Sequence, residues 1–200
     1  MKNFYTGSKL SREFYLQSAL EVAKNLIGKK LVHNSTDGLT SGIIVETEAY
    51  MGAIDAAAHS YKGLTDRTKI QYGVGGFAYV YLIYGMHICF NVVANVENIP
   101  EAVLIRALQP VEGIELMKKR RKKNNLRDLC SGPGKLTQAM GITKNHYGAD
   151  LCGDELFIEE IENFSPNIIS TKRINVDYAG DAANYLWRFI LKDSKFISTK

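Results

Sequence analysis

Cysteine, proline, tryptophan and histidine are all scarce in this chain of 200 residues, and most of these scarcities exclude something. The three cysteines, Cys89, Cys130 and Cys152, stand far apart with no C-x-x-C pair. Neither a disulfide framework nor a zinc knuckle is expected. The four histidines, His33, His59, His87 and His146, lack H-E-x-x-H or H-x-E spacing, so no metal site and no cofactor are implied. Only four prolines occur, with no low-complexity tract, linker or internal repeat, and one domain over residues 1–200 is expected. No apolar run approaches the about 20 residues that cross a bilayer, and residues 1–11 lack the apolar core of a signal peptide. A cytoplasmic protein without a membrane partner is the expectation.

Net charge is also small, +4, but it is unevenly placed. Residues 118–135 hold eight basic side chains and one acid, whereas the rest of the chain holds 17 basic and 20 acidic residues. A mildly acidic body with one strongly basic stretch fits a polyanion footprint, and it fits a solvated charged loop as well.

Tyr15, Ala19, Val22 and Leu26 recur at helical spacing, with Ser11 placed to cap and Gly28 to stop an amphipathic helix. Residues 42–50 and 77–93 are rich in Ile, Val, Tyr and Phe. The first predicts a strand, the second a hairpin turning at Tyr84-Gly85. Residues 102–108 predict a strand closed by Pro110, and residues 111–123 a helix ending in the basic run. A short helix is expected over residues 133–140, stopped by Gly141, with further strands over 155–159, 173–176 and 186–191. Without regular βαβ alternation, the fold class is α+β with a largely antiparallel sheet.

Two glycine-rich segments invite nucleotide readings, and both fail. Gly73-Val-Gly-Gly-Phe-Ala leads into a strand where a dinucleotide fingerprint needs a helix. Ser131-Gly-Pro-Gly-Lys135 has Leu136 where a phosphate-binding loop places its Ser or Thr magnesium ligand. What remains is a helix start with Ser131 as cap, Pro133 in the first turn and Lys135 alongside, able to bind one phosphate or simply to cap a helix. In Ile-Val-Glu-Thr-Glu-Ala-Tyr (residues 44–50), the period of two puts Glu46, Glu48 and Tyr50 on one face. In the hairpin, Tyr79 and Tyr81 share a face, His87, Cys89 and Asn91 share another strand's face, and Tyr84 falls at the tip. Such a hairpin can be a well-packed sheet or a stacking platform.

Five segments together resemble the alkyladenine (3-methyladenine) DNA glycosylase family, in its order and with similar spacing. They are residues 44–50, Ala-His-Ser (58–60), Tyr-Val-Tyr-x-x-Tyr-Gly-Met-His-x-x-x-Asn (79–91), Leu-Ile-Arg-Ala-Leu-x-Pro (104–110) and Cys-Ser-Gly-Pro-Gly-Lys-Leu (130–136). The resemblance implies a single mixed domain around a curved, open barrel-like antiparallel sheet flanked by helices, with a protruding β-hairpin. It implies a partner, double-stranded DNA containing damaged bases, and a monomer that flips alkylated or deaminated purines (3-methyladenine, hypoxanthine, ethenoadenine) out of the duplex. Glu48 matches the general base that activates water against C1′, and Arg106 an arginine beside it. Tyr50, His59, Tyr81 and Asn91 match the base pocket, and Tyr84 the residue that wedges into the base stack. Arg67, Ser131, Gly132 and Lys135 match DNA-backbone contacts; if the chain is bacterial, the enzyme would associate with the nucleoid. Glu46 is left with a structural role. Because no lysine falls in the base-pocket motifs, hydrolysis without a lyase step is expected, leaving an abasic site.

Two other readings compete. A noncatalytic nucleic-acid-binding module of the same fold would not need an intact Glu48 and Arg106. A helix-hairpin-helix glycosylase would need its glycine turn, here residues 73–76, to lead into a helix rather than a strand.

Overall fold

The computed structural model describes residues 7–83 and 85–198. Its chain runs through α1 (Arg12–Tyr15), α2 (Ala19–Leu26), β1 (Lys30–Ser35) and β2 (Gly38–Tyr50), then the hairpin β3 (Ala78–Ile83) and β4 (His87–Ala94). It continues through β5 (Glu101–Glu112), α3 (Ile114–Arg121), α4 (Arg127–Cys130), α5 (Pro133–Met140), β6 (Leu156–Glu159), β7 (Ile168–Thr171) and β8 (Arg188–Leu191). All eight strands pair antiparallel in one curled, half-barrel sheet, ordered β3-β4-β5-β2-β1-β6, with β8 on the other half of the β2 edge and β7 beside it. The expected α+β class is the one observed.

Helix α2 begins where Ser18 accepts the Glu21 N–H and buries Ala19, Val22, Ala23 and Leu26 against β2 and β5. The single N-terminal helix expected from periodicity is in fact two. Tyr15 is fully buried, as its spacing requires, but it closes the four-residue α1, and the chain reorients over residues 16–18 before Ser18 caps the next helix. The large core cluster joins α2 to Ile44, Ala49, Phe90, Val92, Val103, Ile105 and Leu108 of the sheet.

Pro110 does not end its strand. It pairs with Gly42 beside a bulge at Val111, on a stretch of β5 that has β2 as its strand partner on one side, where a missing N–H is tolerated. Helix α3 consequently starts at Ile114, after Gly113. Residues 173–176 are not a strand; the edge strand is β7, five residues earlier. Helix α5 has the expected bounds, since Pro133 starts it and Gly141, at φ +76°, stops it.

Strand β4 pairs with β5 only over Asn91–Ala94, so the outer part of the hairpin extends past the sheet. Helix α5 braces it, with the Thr137 hydroxyl donating to the Ile88 carbonyl.

Candidate active site

Two bulges in the β2–β5 pair shape the site. Val45 is the extra residue on β2 and Arg106 the extra residue on β5. A bulge interrupts strict alternation. Ile44 accordingly enters the large core and Thr47, three residues on, bonds the Ala23 carbonyl of α2 on that same side. Val45 packs with Ile43 and Ala107 in a second cluster, while Glu46 and Glu48 meet Arg106.

Both carboxylates are fully buried. Glu46 Oε1 accepts from Arg106 Nε, Arg188 Nε and the Ser198 hydroxyl, each at 2.8 Å, and Oε2 accepts the Ser198 N–H at 2.6 Å. Its acceptor capacity is filled, which suits a structural role. Glu48 is less saturated. Oε1 accepts the Ile174 N–H at 2.8 Å with Arg106 Nη1 3.3 Å away, and Oε2 accepts the Tyr50 hydroxyl at 2.8 Å. Of about four acceptor positions on a carboxylate, the contacts among the described residues occupy three. Two carboxylates and two guanidiniums offset one another in this buried group.

Tyr50 and Arg106 separate Glu48 from a cavity of about 450 Å³, within the about 300–1,000 Å³ of small-ligand sites. One wall is a single face of the hairpin. Cross-strand partners Tyr79 and Asn91, Tyr81 and Cys89, and Ile83 and His87 all line it. His59 adds a ring 4.6 Å from Tyr81, its Nδ1 2.8 Å from the Tyr79 hydroxyl. These surroundings strip water from His59 and, with Arg67 nearby, lower its pKa to about 4. Burial pushes the Tyr79 phenol up to about 12 and moves Tyr81 and Tyr50 upward as well, Glu48 adding to the effect on Tyr50. At neutral pH the rings of His59, Tyr79, Tyr81 and Tyr50 are therefore uncharged, while Arg106, Arg121 and Lys135 bring positive charge to the rest of the lining.

The start of α5 adds another part of the lining, with Gly132, Pro133, Gly134 and Lys135 on the cavity and Gly134 packed against His87 of the hairpin. Gly132 has φ +150° and ψ +150°, a region that is essentially glycine's alone. It occupies the cap position, and no side chain caps the helix. Ser131 instead pairs by backbone with Ala107, next to Arg106, and its hydroxyl lies 3.5 Å from Lys135 Nζ. The expected Ser131 cap is thus absent because β5 holds that residue back.

One cavity accordingly gathers Tyr50, His59, Tyr81, Asn91, Arg106, Gly132 and Lys135, with Glu48 and Ser131 immediately behind. Lys135 is a lysine on the cavity wall, which the base-pocket motifs do not contain. Arg67 stacks on Tyr81 at 4.8 Å and reaches His59 Nε2 at 3.3 Å, on the aromatic wall. Tyr84 lies outside the described residues.

Several contributors carry no signal in the sequence. Arg173 forms a buried bidentate pair with Asp55 at 2.5 and 2.8 Å and lies over Tyr50 at 4.9 Å and Trp187 at 5.0 Å. Ile174 contributes its backbone N–H to Glu48 and also lines the cavity. Arg121 lines the cavity, so one member of the basic run faces the site, while Arg120 is tied to Ser35, Asp37 and the Ala139 carbonyl. Lys119, Lys122 and Lys123 are exposed. Among the described residues, no helix is long and apolar enough to cross a membrane.

On this curled antiparallel sheet with its aromatic cavity and cations, comparison with known proteins gives the class: the DNA glycosylases, hydrolases of N-glycosyl bonds in base excision repair. The family follows from comparison: the methylpurine-DNA glycosylase model matches residues 13–195, and the chain belongs to that family. It is 52% identical to a protein of Alkaliphilus oremlandii over 96% of this chain and 100% of the other. It is 51% identical to one of Clostridium acetobutylicum, covering 95% and 97%, and 50% identical to one of Bacillus cereus, covering 94% and 97%. All three carry provisional names as 3-methyladenine DNA glycosylases.

Proposed function

We propose that this enzyme flips an alkylated or deaminated purine nucleotide out of duplex DNA into the aromatic cavity and hydrolyses its N-glycosidic bond with a water held by Glu48. The observation that carries this reading is the buried Glu48 carboxylate, bonded to Tyr50 and beside Arg106, both of which line the cavity. A water there loses its proton to Glu48 as its oxygen bonds C1′, and the C1′–N bond electrons leave with the base. The carboxylate also offsets positive charge developing on the sugar.

Tyr50, His59 and Tyr81 stack on the base, and Asn91, whose amide donates to the Tyr79 carbonyl, occupies the wall near its edge. The neutral ring faces of Tyr50, His59 and Tyr81 attract a cationic, N-alkylated purine against the like charge of Arg106, Arg121 and Lys135 elsewhere on the lining, and such a base departs without an added proton. His59, with its pKa lowered to about 4, neither repels such a base nor readily supplies a proton to a neutral one. Tyr84 fills the vacated place in the stack. Ser131, Gly132 and Lys135 contact one phosphate and Arg67 another.

The test is a duplex carrying one hypoxanthine or ethenoadenine, together with DNA alkylated by dimethyl sulfate, each treated with alkali after incubation. Strand scission only after alkali is expected from the wild type, and Glu48→Gln should lose at least about 100-fold in excision while still binding lesion DNA. An active Glu48→Gln protein would assign the base elsewhere. Binding without scission would favour a noncatalytic module, and scission before alkali would give Lys135 a lyase step.

A further inference from the structure

His33 of β1, His146 in the turn after α5 and Glu155 at the approach to β6 come together from three pieces of chain. The two imidazole Nε2 atoms are 3.1 Å apart, and Glu155 Oε1 lies 3.9 Å from His33 Nε2 and 3.6 Å from His146 Nε2. Atoms so spaced lie on a circle of radius about 2.1 Å, so one point is equally near all three at the about 2.0–2.2 Å of zinc–nitrogen and zinc–oxygen bonds. His33 is buried with Nδ1 2.7 Å from the Met140 carbonyl, and an N–H donated there leaves the Nε2 lone pair aimed at His146 and Glu155. Metal-bound histidines are ordinarily fixed in this way.

For His146, Nδ1 lies 3.0 Å from the Thr143 nitrogen and 3.3 Å from both the Thr143 carbonyl oxygen and its hydroxyl. Without an ion, Nδ1 accepts the Thr143 N–H and the Nε2 proton points at His33 Nε2; an ion replaces that proton when the ring takes the other tautomer, whose Nδ1–H has the Thr143 carbonyl and hydroxyl at 3.3 Å as acceptors. Glu155 has an exposed side chain, free to adjust, and the three residues border a second cavity from which water can complete the coordination.

We propose that His33, His146 and Glu155 bind one zinc-class divalent ion. Two imidazoles with one carboxylate select zinc, cobalt or nickel over magnesium and calcium. The ion joins β1, the start of β6 and the turn beyond α5, the helix whose other end supplies Gly132 and Lys135 to the catalytic cavity. Its role is to clip that helix to the sheet, and it takes no part in the hydrolysis.

Chelator-treated full-length protein is titrated with zinc chloride by calorimetry and melted with and without the metal, using magnesium chloride as control. One zinc per chain, a raised Tm with zinc alone, and zinc affinity at least about tenfold weaker in Glu155→Ala and in His146→Gln are expected. Glu155 is exposed, so its variant should fold and decides the matter if His146→Gln does not. No zinc binding by the wild type, or wild-type affinity in either folded variant, overturns the proposal; the latter would move the ion elsewhere, for example to the free cysteines.

Discussion

Asp55→Asn tests how the buried scaffold behind Tyr50 is held. Both side chains of the Asp55–Arg173 pair are fully buried. Asp55 Oδ1 accepts from Arg173 Nη2 and the Ala57 N–H, and Oδ2 from Arg173 Nη1 and the Met51 N–H. Whichever way an asparagine amide is turned, its NH₂ faces one guanidinium nitrogen and one backbone N–H, and both lose their acceptor. The buried guanidinium also loses its counter-charge, although the Ala49 and Ala182 carbonyls still accept from it. Breaking one side of a buried pair costs about 3–5 kcal/mol, and one unsatisfied buried donor about 1–3 kcal/mol. At about 2–4 °C per kcal/mol for a protein of this size, Tm should fall by about 6–20 °C. Urea unfolding gives the free energy directly. In a double-mutant cycle, adding Arg173→Met should cost less in the Asp55→Asn background than in the wild type, by about 1 kcal/mol or more. Because Arg173 lies over Tyr50, which donates to Glu48, excision assayed well below the transition should fall too. A loss below about 1 kcal/mol would refute the energetic reasoning. Lost stability with unchanged excision by the folded protein would refute the link to Tyr50.

Tyr84→Ala should lower the ratio of lesion to undamaged duplex affinity, measured by fluorescence anisotropy; an unchanged ratio removes the wedge role. Gly132→Ala should cost about 1–3 kcal/mol, since φ and ψ near +150° exclude a Cβ, and should weaken duplex binding; wild-type values for both would contradict the observed helix start. His59 should stay neutral by NMR titration down to about pH 4, against 6.5 for a free histidine. With the folded pKa depressed, its contribution to stability is complete above about pH 6.5 and is lost as pH falls toward 4. A ring midpoint near 6.5 would mean that the Tyr79, Tyr81 and Arg67 surroundings do not desolvate it.

What the sequence determined by itself rests on local rules. Period-two alternation is enough to put Tyr79 and Tyr81 on one face of β3 and His87, Cys89 and Asn91 on one face of β4; the pairing register then joins the two sets into the cavity wall. Pro133 and Gly141 bound α5 because one fixes φ for a first turn and the other accepts a left-handed stop. Local rules fail where a distant partner intervenes. Ser11 does not cap a long helix because Ser18 starts a second one, Pro110 stays in its strand because β2 pairs across a bulge, and residues 173–176 leave the sheet where Arg173 turns inward to Asp55. Alternation brings Glu46, Glu48 and Tyr50 to one side, but it cannot say which carboxylate is saturated. That depends on Arg188 and Ser198 at Glu46, and on Ile174 and Tyr50 at Glu48. Nor can spacing join His33 to His146, 113 residues apart. Contacts this distant in sequence exist only once the sheet has curled and its bulges have turned the side chains, so they belong to the tertiary structure.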